Sequence, residues 1–188
     1  MKNICCIVNP VSGLKKSLKV YYEAKNLFEK SDFNTSLFVS EYPNHIKDYV
    51  SKIEKNRFDR IIVFGGDGSI NEVVNGLNDS NNLQSFKLGV IPTGSGNSVA
   101  HDTGLLDVKD AISKSLGDNI IKMDLNRVDF DSVSRLSVSV LGWGMFSYGN
   151  IRAEKLRLLG PIRYDVASII TLLEKKIHKA CLLYTSPS

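Results

Sequence analysis

The sequence contains no Gly-Lys-Ser or Gly-Lys-Thr, and so lacks the Walker A loop of the P-loop nucleotide-binding proteins. A Rossmann fingerprint is missing as well. Gly94 and Gly96 match its first two glycines, but Val99 stands where the third should be, and no acidic residue ends a second strand at the required distance. Cysteine is sparse: with 3 in all there is no disulfide framework, and the adjacent pair Cys5 and Cys6 should project to opposite faces of a strand, which favours a reducing compartment. The 3 histidines, His45, His101 and His178, have no metal-ligand spacing; His101 follows a glycine loop, but a lone histidine is usually structural. No run reaches the roughly 20 apolar residues of a membrane span. Ile4 to Val8 is cut by Asn9-Pro10 and is too short for a signal peptide. Lys and Arg number 24 against 20 Asp and Glu, a net charge of +4, and they are scattered, which argues against nucleic acid. The mild positive balance suits a phosphate ligand or an anionic membrane surface.

What the sequence does have is a glycine turn built around one carboxylate. The apolar run Ile61 to Phe64 breaks at Gly65-Gly66-Asp67-Gly68 and resumes with helical periodicity at Ile70, Val73, Val74 and Leu77. Glycines let the backbone turn sharply and present N–H groups to an anion, and the following helix adds its positive end. Asp67 would repel that anion unless it binds a metal or takes a proton from an attacking hydroxyl, which points to phosphoryl transfer. An ordinary strand-to-helix turn is the plainer alternative. A second apolar strand leads into Gly94-Ser95-Gly96-Asn97, and a third, Ile4 to Val8, leads into Asn9-Pro10-Val11-Ser12-Gly13. In open α/β sheets ligands sit outside the carboxyl ends of the strands, so the three loops should share one crevice. Lys15, Lys16 and Lys19 beside the first loop read as a solvated helix face or as attraction for a triphosphate.

In order and spacing, the segments 9–13, 65–77 and 94–100 resemble the diacylglycerol kinase catalytic superfamily of lipid kinases, and the Gly-Ser-Gly-Asn form of the third leans toward its sphingosine-kinase-like branch. Residues 140–164 are similar to the start of the lipid-binding domain of sphingosine and ceramide kinases. The resemblance implies ATP and Mg2+ as cofactors, a membrane lipid as the phosphoryl acceptor, and a cytoplasmic, peripherally membrane-associated protein. It gives Asp67 the role of base or metal-organising carboxylate. Glu72, with the backbone of Gly65, Gly66 and Gly68, falls on the phosphate and magnesium side, and Gly94, Ser95 and Gly96 on the second phosphate loop. Asn9 matches the first nucleotide contact, Ser40 and Asn44 a segment bordering the nucleotide, and Arg157 and Arg163 two phosphate-binding arginines, for which fixed, permanently charged donors are suited. Asn150 stands where sphingosine kinases place an aspartate against the headgroup amine. A neutral amide hydrogen-bonds hydroxyls or amides instead, so ceramide-like and acylglycerol-like lipids fit as well as a sphingoid base. NAD kinase, which shares the Gly-Gly-Asp-Gly turn, and a non-catalytic nucleotide-binding regulator are the alternatives.

The expected fold is α/β, a mainly parallel sheet between helices of the NAD kinase and diacylglycerol kinase type, followed by the start of a β-rich second domain. Periodicity predicts strands at 3–8, 35–40, 60–64 and 87–91, with helices at 16–30, 45–55, 69–78, 97–103 and 108–116. Helix 16–30 should bury Val20, Ala24, Leu27 and Phe28; helix 45–55 should bury Ile46, Tyr49, Val50 and Ile53. From about 119 the pattern reads as consecutive strands beginning at Ile120, Arg127 and Leu136, placing a domain boundary there: 1–118 catalytic, 119–180 an incomplete lipid-binding domain. The apolar segment from Trp143 to Tyr148, the helix carrying Leu156, Leu158 and Leu159, and Val166 to Leu173 read either as second-domain core or as a lipid pocket. Residues 181–188, including Cys181, fit neither a helix end nor the family pattern and read as foreign sequence or read-through at the end of a truncated reading frame.

Overall fold

The structure, a computed structural model, describes residues 2–174 apart from Leu14, Asp32, Asp131 and Trp143. The 181–188 segment with Cys181, and His178, therefore lie outside the described residues. The chain divides into two compact units, Met1–Val140 and Leu141–Ser188.

The first unit is built on four parallel strands in the order β2-β1-β3-β4: β1 (Lys2–Val8), β2 (Phe33–Val39), β3 (Arg60–Gly65) and β4 (Lys87–Pro92). Right-handed crossovers are the rule for parallel neighbours, and helices α1 (Ser17–Glu29), α2 (His45–Val50), α3 (Asp67–Asp79), α4 (Ser98–Asp102) and α5 (Val108–Leu116) make the connections. The central strands β1 and β3 are apolar on both faces because helices cover both. Alternation sorts them: Cys5, Ile7, Ile61 and Val63 pack with Ile46, Val50, Ile70, Val73 and Leu77 on one side. Ile4, Cys6, Val8, Ile62 and Phe64 pack with Tyr21, Ala24, Phe28 and Ala111 on the other. The two adjacent cysteines thus serve opposite cores. Burial pushes the Cys5 thiol up to about 11 and raises Cys6 further, so neither is a thiolate nucleophile near neutral pH.

Several local expectations are corrected. Helix α1 buries Ser17, Tyr21, Ala24 and Phe28, not Leu27, which is exposed. The Tyr21 and Phe28 rings both meet Phe64 edge-on, centroids 5.5 and 6.3 Å apart, and this turns the helix toward its tyrosine. Helix α2 ends at Val50 rather than at 55; the chain tightens into i→i+3 turns, Lys52 N to Tyr49 O and Ile53 N to Val50 O, which still deliver Ile53 to the core. Residues 120–125 form no strand. Ile120, Ile121 and Met123 are exposed, and no described strand pairs with them. The antiparallel hairpin is β5 (Asn126–Phe130) with β6 (Val133–Ser137), which begins three residues before the expected Leu136. This hairpin lies within the first unit, where Leu136 packs on the α2–α3 core. In the second unit, α6 (Met145–Lys155) begins before the expected position, and Leu156, Leu158 and Leu159 fall in or beside a 3-10 turn over Arg157–Ile162 that leads to α7 (Arg163–Leu173).

Opposite the glycine loops, Arg60 closes the bottom of the sheet. Its buried guanidinium donates to the Ser115 and Gly117 carbonyls at 2.6 and 3.1 Å, and lies 5.0 Å from the Phe33 ring centre. It satisfies the orphan carbonyls at the end of α5. Arg60→Met is expected to lower unfolding stability by about 1–3 kcal/mol in urea titrations, because the partly buried Ser115 carbonyl loses its charged donor while the exposed Gly117 carbonyl can turn to water.

Candidate functional site

The loops meet across the carboxyl ends of all four strands, and a row of backbone hydrogen bonds ties each strand end to its neighbour. Ser40 N donates to Val8 O (3.0 Å), Asn9 N to Phe64 O (3.1 Å) and Thr93 N to Gly65 O (3.1 Å). The sheet ladder therefore continues past the strands into the loops. Side chains add to it: Asn9 Nδ2 donates to Ser69 Oγ at 3.0 Å, and the hydroxyls of Ser17 and Thr93 are 2.7 Å apart in a buried pair.

Glycine is required where these loops touch. A Cβ on Gly94 would come 2.5 Å from Gly66 Cα, and one on Gly65 would overlap Ser69 Oγ at 2.5 Å. At Gly68, by contrast, a Cβ would meet nothing within 4 Å, so the fold alone does not demand glycine there. The Gly94 turn is closed by Asn97, whose Oδ1 accepts from Gly94 N and whose Nδ2 donates to Gly94 O, both at 2.9 Å. Asn97 sits in the left-handed region with φ 56°, which asparagine tolerates better than other side chains.

Asp67, the first residue of α3, reaches across to the second loop. Oδ2 accepts from Ser98 N at 2.9 Å and Oδ1 from Val99 N at 3.0 Å. Both are first-turn amides of α4, which no residue of their own helix can satisfy. The carboxylate is half-buried and oriented, and each oxygen keeps lone-pair capacity for a hydroxyl, a water or a magnesium ion. Sequence reasoning singled out Asp67 for its chemistry and missed this capping contact; the first-turn position of Ser98 and Val99, 31 and 32 residues away, carries no local signal.

The other expected positions divide. Asn9, Gly65, Gly66, Asp67, Gly94 and Gly96 converge as described, and a Cβ on Gly96 would lie 3.3 Å from Asp67 Oδ2. Ser95 is exposed on the same loop. Ser40 is buried at the end of β2, and Asn44 is exposed in the left-handed region at the start of α2. Glu72 is one helical turn from Asp67, and its Oε2 accepts from Ile46 N at 3.2 Å. Asn150, Arg157 and Arg163 belong to the second unit. Asn150 is exposed on α6, Arg157 opens the 3-10 turn with its side chain outside the described part, and Arg163 is buried at the start of α7, donating to Tyr164 Oη at 2.8 Å beside Glu154 at 3.5 Å. Among the described residues no group of three or more His, Cys, Asp or Glu could hold a metal by itself. A magnesium ion bound chiefly through substrate phosphates and one or two carboxylates needs no such cluster, and Asp67 fits that use.

A doubly wound α/β domain with glycine loops sharing the carboxyl end of a parallel sheet, and one oriented carboxylate among their amides, defines the class of protein. More specifically, the chain belongs to the diacylglycerol kinase catalytic domain family, whose model matches residues 3–128. It is 30% identical to human ceramide kinase over 97% of this chain and 37% of that one. It is 28% identical to Arabidopsis thaliana sphingosine kinase 2 over 97% and 40%, and 27% identical to human sphingosine kinase 1 over 96% and 51%. The chain thus spans between about two fifths and half the length of these curated relatives. A crystal structure of a diacylglycerol kinase from Bacillus anthracis str. Sterne shares the fold, with TM-score 0.50 and 24% identity over 61% of this chain and 39% of that one.

Proposed function

We propose that the protein transfers the γ-phosphoryl group of ATP to a hydroxyl of a membrane lipid, a sphingoid base, ceramide-like lipid or diacylglycerol. The observation that carries this reading is the crossing of the two glycine turns at Gly66 and Gly94 beside the fixed Asp67 carboxylate. Amides around the turns would hold phosphate oxygens, Asp67 would receive the proton of the acceptor hydroxyl, and Asp67 with the phosphates would hold magnesium, which supplies neutralisation of the phosphoryl charge. The chain's similarity to sphingosine and ceramide kinases supports a lipid acceptor. The neutral amide of Asn150 favours acceptors recognised through hydroxyl or amide groups as much as an amine. No helix of the described residues is long and apolar enough to cross a membrane, and access to the lipid is proposed to be peripheral, from the cytoplasm.

The test supplies the protein, expressed from its complete coding sequence, with magnesium, labelled ATP and vesicles containing diacylglycerol, sphingosine or ceramide, and in parallel with NAD. Label in one lipid is the expected result and names the substrate. Label in NAD, or in nothing, would overturn the reading. Gly68→Ala separates fold from ligand. Alanine has open space and helix preference there, so stability should hold or rise by up to about 1 kcal/mol, while ATP affinity falls if phosphate approaches that backbone.

A further inference from the structure

Helix α2 is short, and its own cap does not serve it. Asn44 occupies the N-cap position in the left-handed region, φ 66°, and makes no side-chain hydrogen bond to the first turn. The amide of Ile46 is nonetheless satisfied, by Glu72 of α3 at 3.2 Å. The rest of the α2–α3 contact is equally close. A Cβ on Gly76 would come 2.7 Å from Lys47 O, and Lys47 Nζ pairs with Asp79 at 2.8 Å.

The segment between β2 and α2 is thereby anchored at both ends. Ser40 N holds it to Val8 O at the crest of the sheet, and Glu72 holds its far end through Ile46. Between these anchors it is braced by its own contacts: Glu41 N donates to His45 Nδ1 at 3.1 Å, and the Tyr42 and His45 rings stack at 4.1 Å. Since α3 also begins with Asp67, one rigid helix sets both the carboxylate and this segment.

We infer that Glu72 is a positioning residue, which fixes the Ser40–Asn44 segment beside the carboxyl end of β1 by capping α2, and that it does not act as a ligand of magnesium or phosphate. This rests on the kinase reading. The role needs a hydrogen-bond acceptor at that point, and a charge is dispensable. Glutamine keeps an acceptor oxygen; alanine does not.

The experiment uses the protein expressed from its complete coding sequence and begins with wild-type ATP binding by calorimetry. A wild type that binds no ATP overturns the kinase reading without bearing on the cap. With binding established, Glu72→Ala should raise KM for ATP about tenfold, the loss of one charge-assisted hydrogen bond, with kcat changed less than about threefold. Amide exchange over residues 45–50 should quicken. Glu72→Gln should restore most of the KM and the exchange protection, and the magnesium concentration giving half-maximal rate should not move in either variant. If glutamine is as damaging as alanine and the magnesium requirement rises in both, Glu72 is a charge-dependent ligand and the inference fails. It also fails if Glu72→Ala leaves KM and exchange at the wild-type level.

Discussion

Asp67→Asn is expected to reduce phosphoryl transfer by about 10²–10⁴ while ATP affinity changes far less, the signature of a lost proton acceptor rather than a lost binding group. The structure adds a second consequence. The carboxylate accepts from both Ser98 N and Val99 N, and an asparagine can offer only one oxygen to the pair, leaving its NH2 against the other donor. The α4 cap is then half broken, costing about 1 kcal/mol, which a shift in denaturation midpoint would report. The two effects are separable. A stability loss of that size cannot produce a rate loss of several orders of magnitude in a protein that is still folded. Single-turnover kinetics with saturating ATP, beside calorimetric ATP binding, is the deciding measurement; turnover near the wild-type rate would rule out Asp67 as the base and leave it as a cap.

Gly13→Ala should be among the most damaging substitutions in the first unit, although Gly13 lies in a surface loop. Its φ is +53°, and a Cβ there would lie 1.8 Å from Thr93 O, a backbone atom that cannot swing aside. The left-handed conformation alone costs a non-glycine residue about 1–2 kcal/mol. Relieving the overlap adds about 1–3 kcal/mol, for a total of roughly 2–5 kcal/mol. The displacement would separate the first loop from the end of β4, where Ser17 and Thr93 share their buried hydroxyl pair and Thr93 N meets Gly65 O. Gly104 provides the control. It has φ +67° but no atom within 4 Å of its Cβ position, so Gly104→Ala should incur only the conformational part. Equal midpoints for the two variants in urea titration would show that the close approach at Thr93 does not hold in solution.

The structural elements follow closely from local patterning where the pattern is strong. The buried apolar run Ile4 to Val8 of β1, the uninterrupted burial of β3 and the Ile70, Val73, Val74, Leu77 stripe on α3 appear where the pattern placed them. Departures occur where a neighbour outweighs the local preference. Tyr21 displaced Leu27 because Phe64 offered its ring an edge contact. The apolar residues of 120–125 did not become a strand, since a strand needs a partner ladder and none lies beside them among the described residues.

Local sequence sets that glycine turns end apolar strands, that one carboxylate stands in the turn between an apolar strand and a helix, and that Cys5 and Cys6 face opposite cores. These are properties of a few consecutive residues, set by backbone sterics and side-chain period. It takes the folded chain to pack Gly66 on Gly94, to cap α4 with Asp67 and α2 with Glu72, and to close α5 with Arg60. Each of those contacts joins residues 26 to 57 positions apart. It depends on the strand order β2-β1-β3-β4 bringing the loops side by side, and no local period in the chain encodes that order.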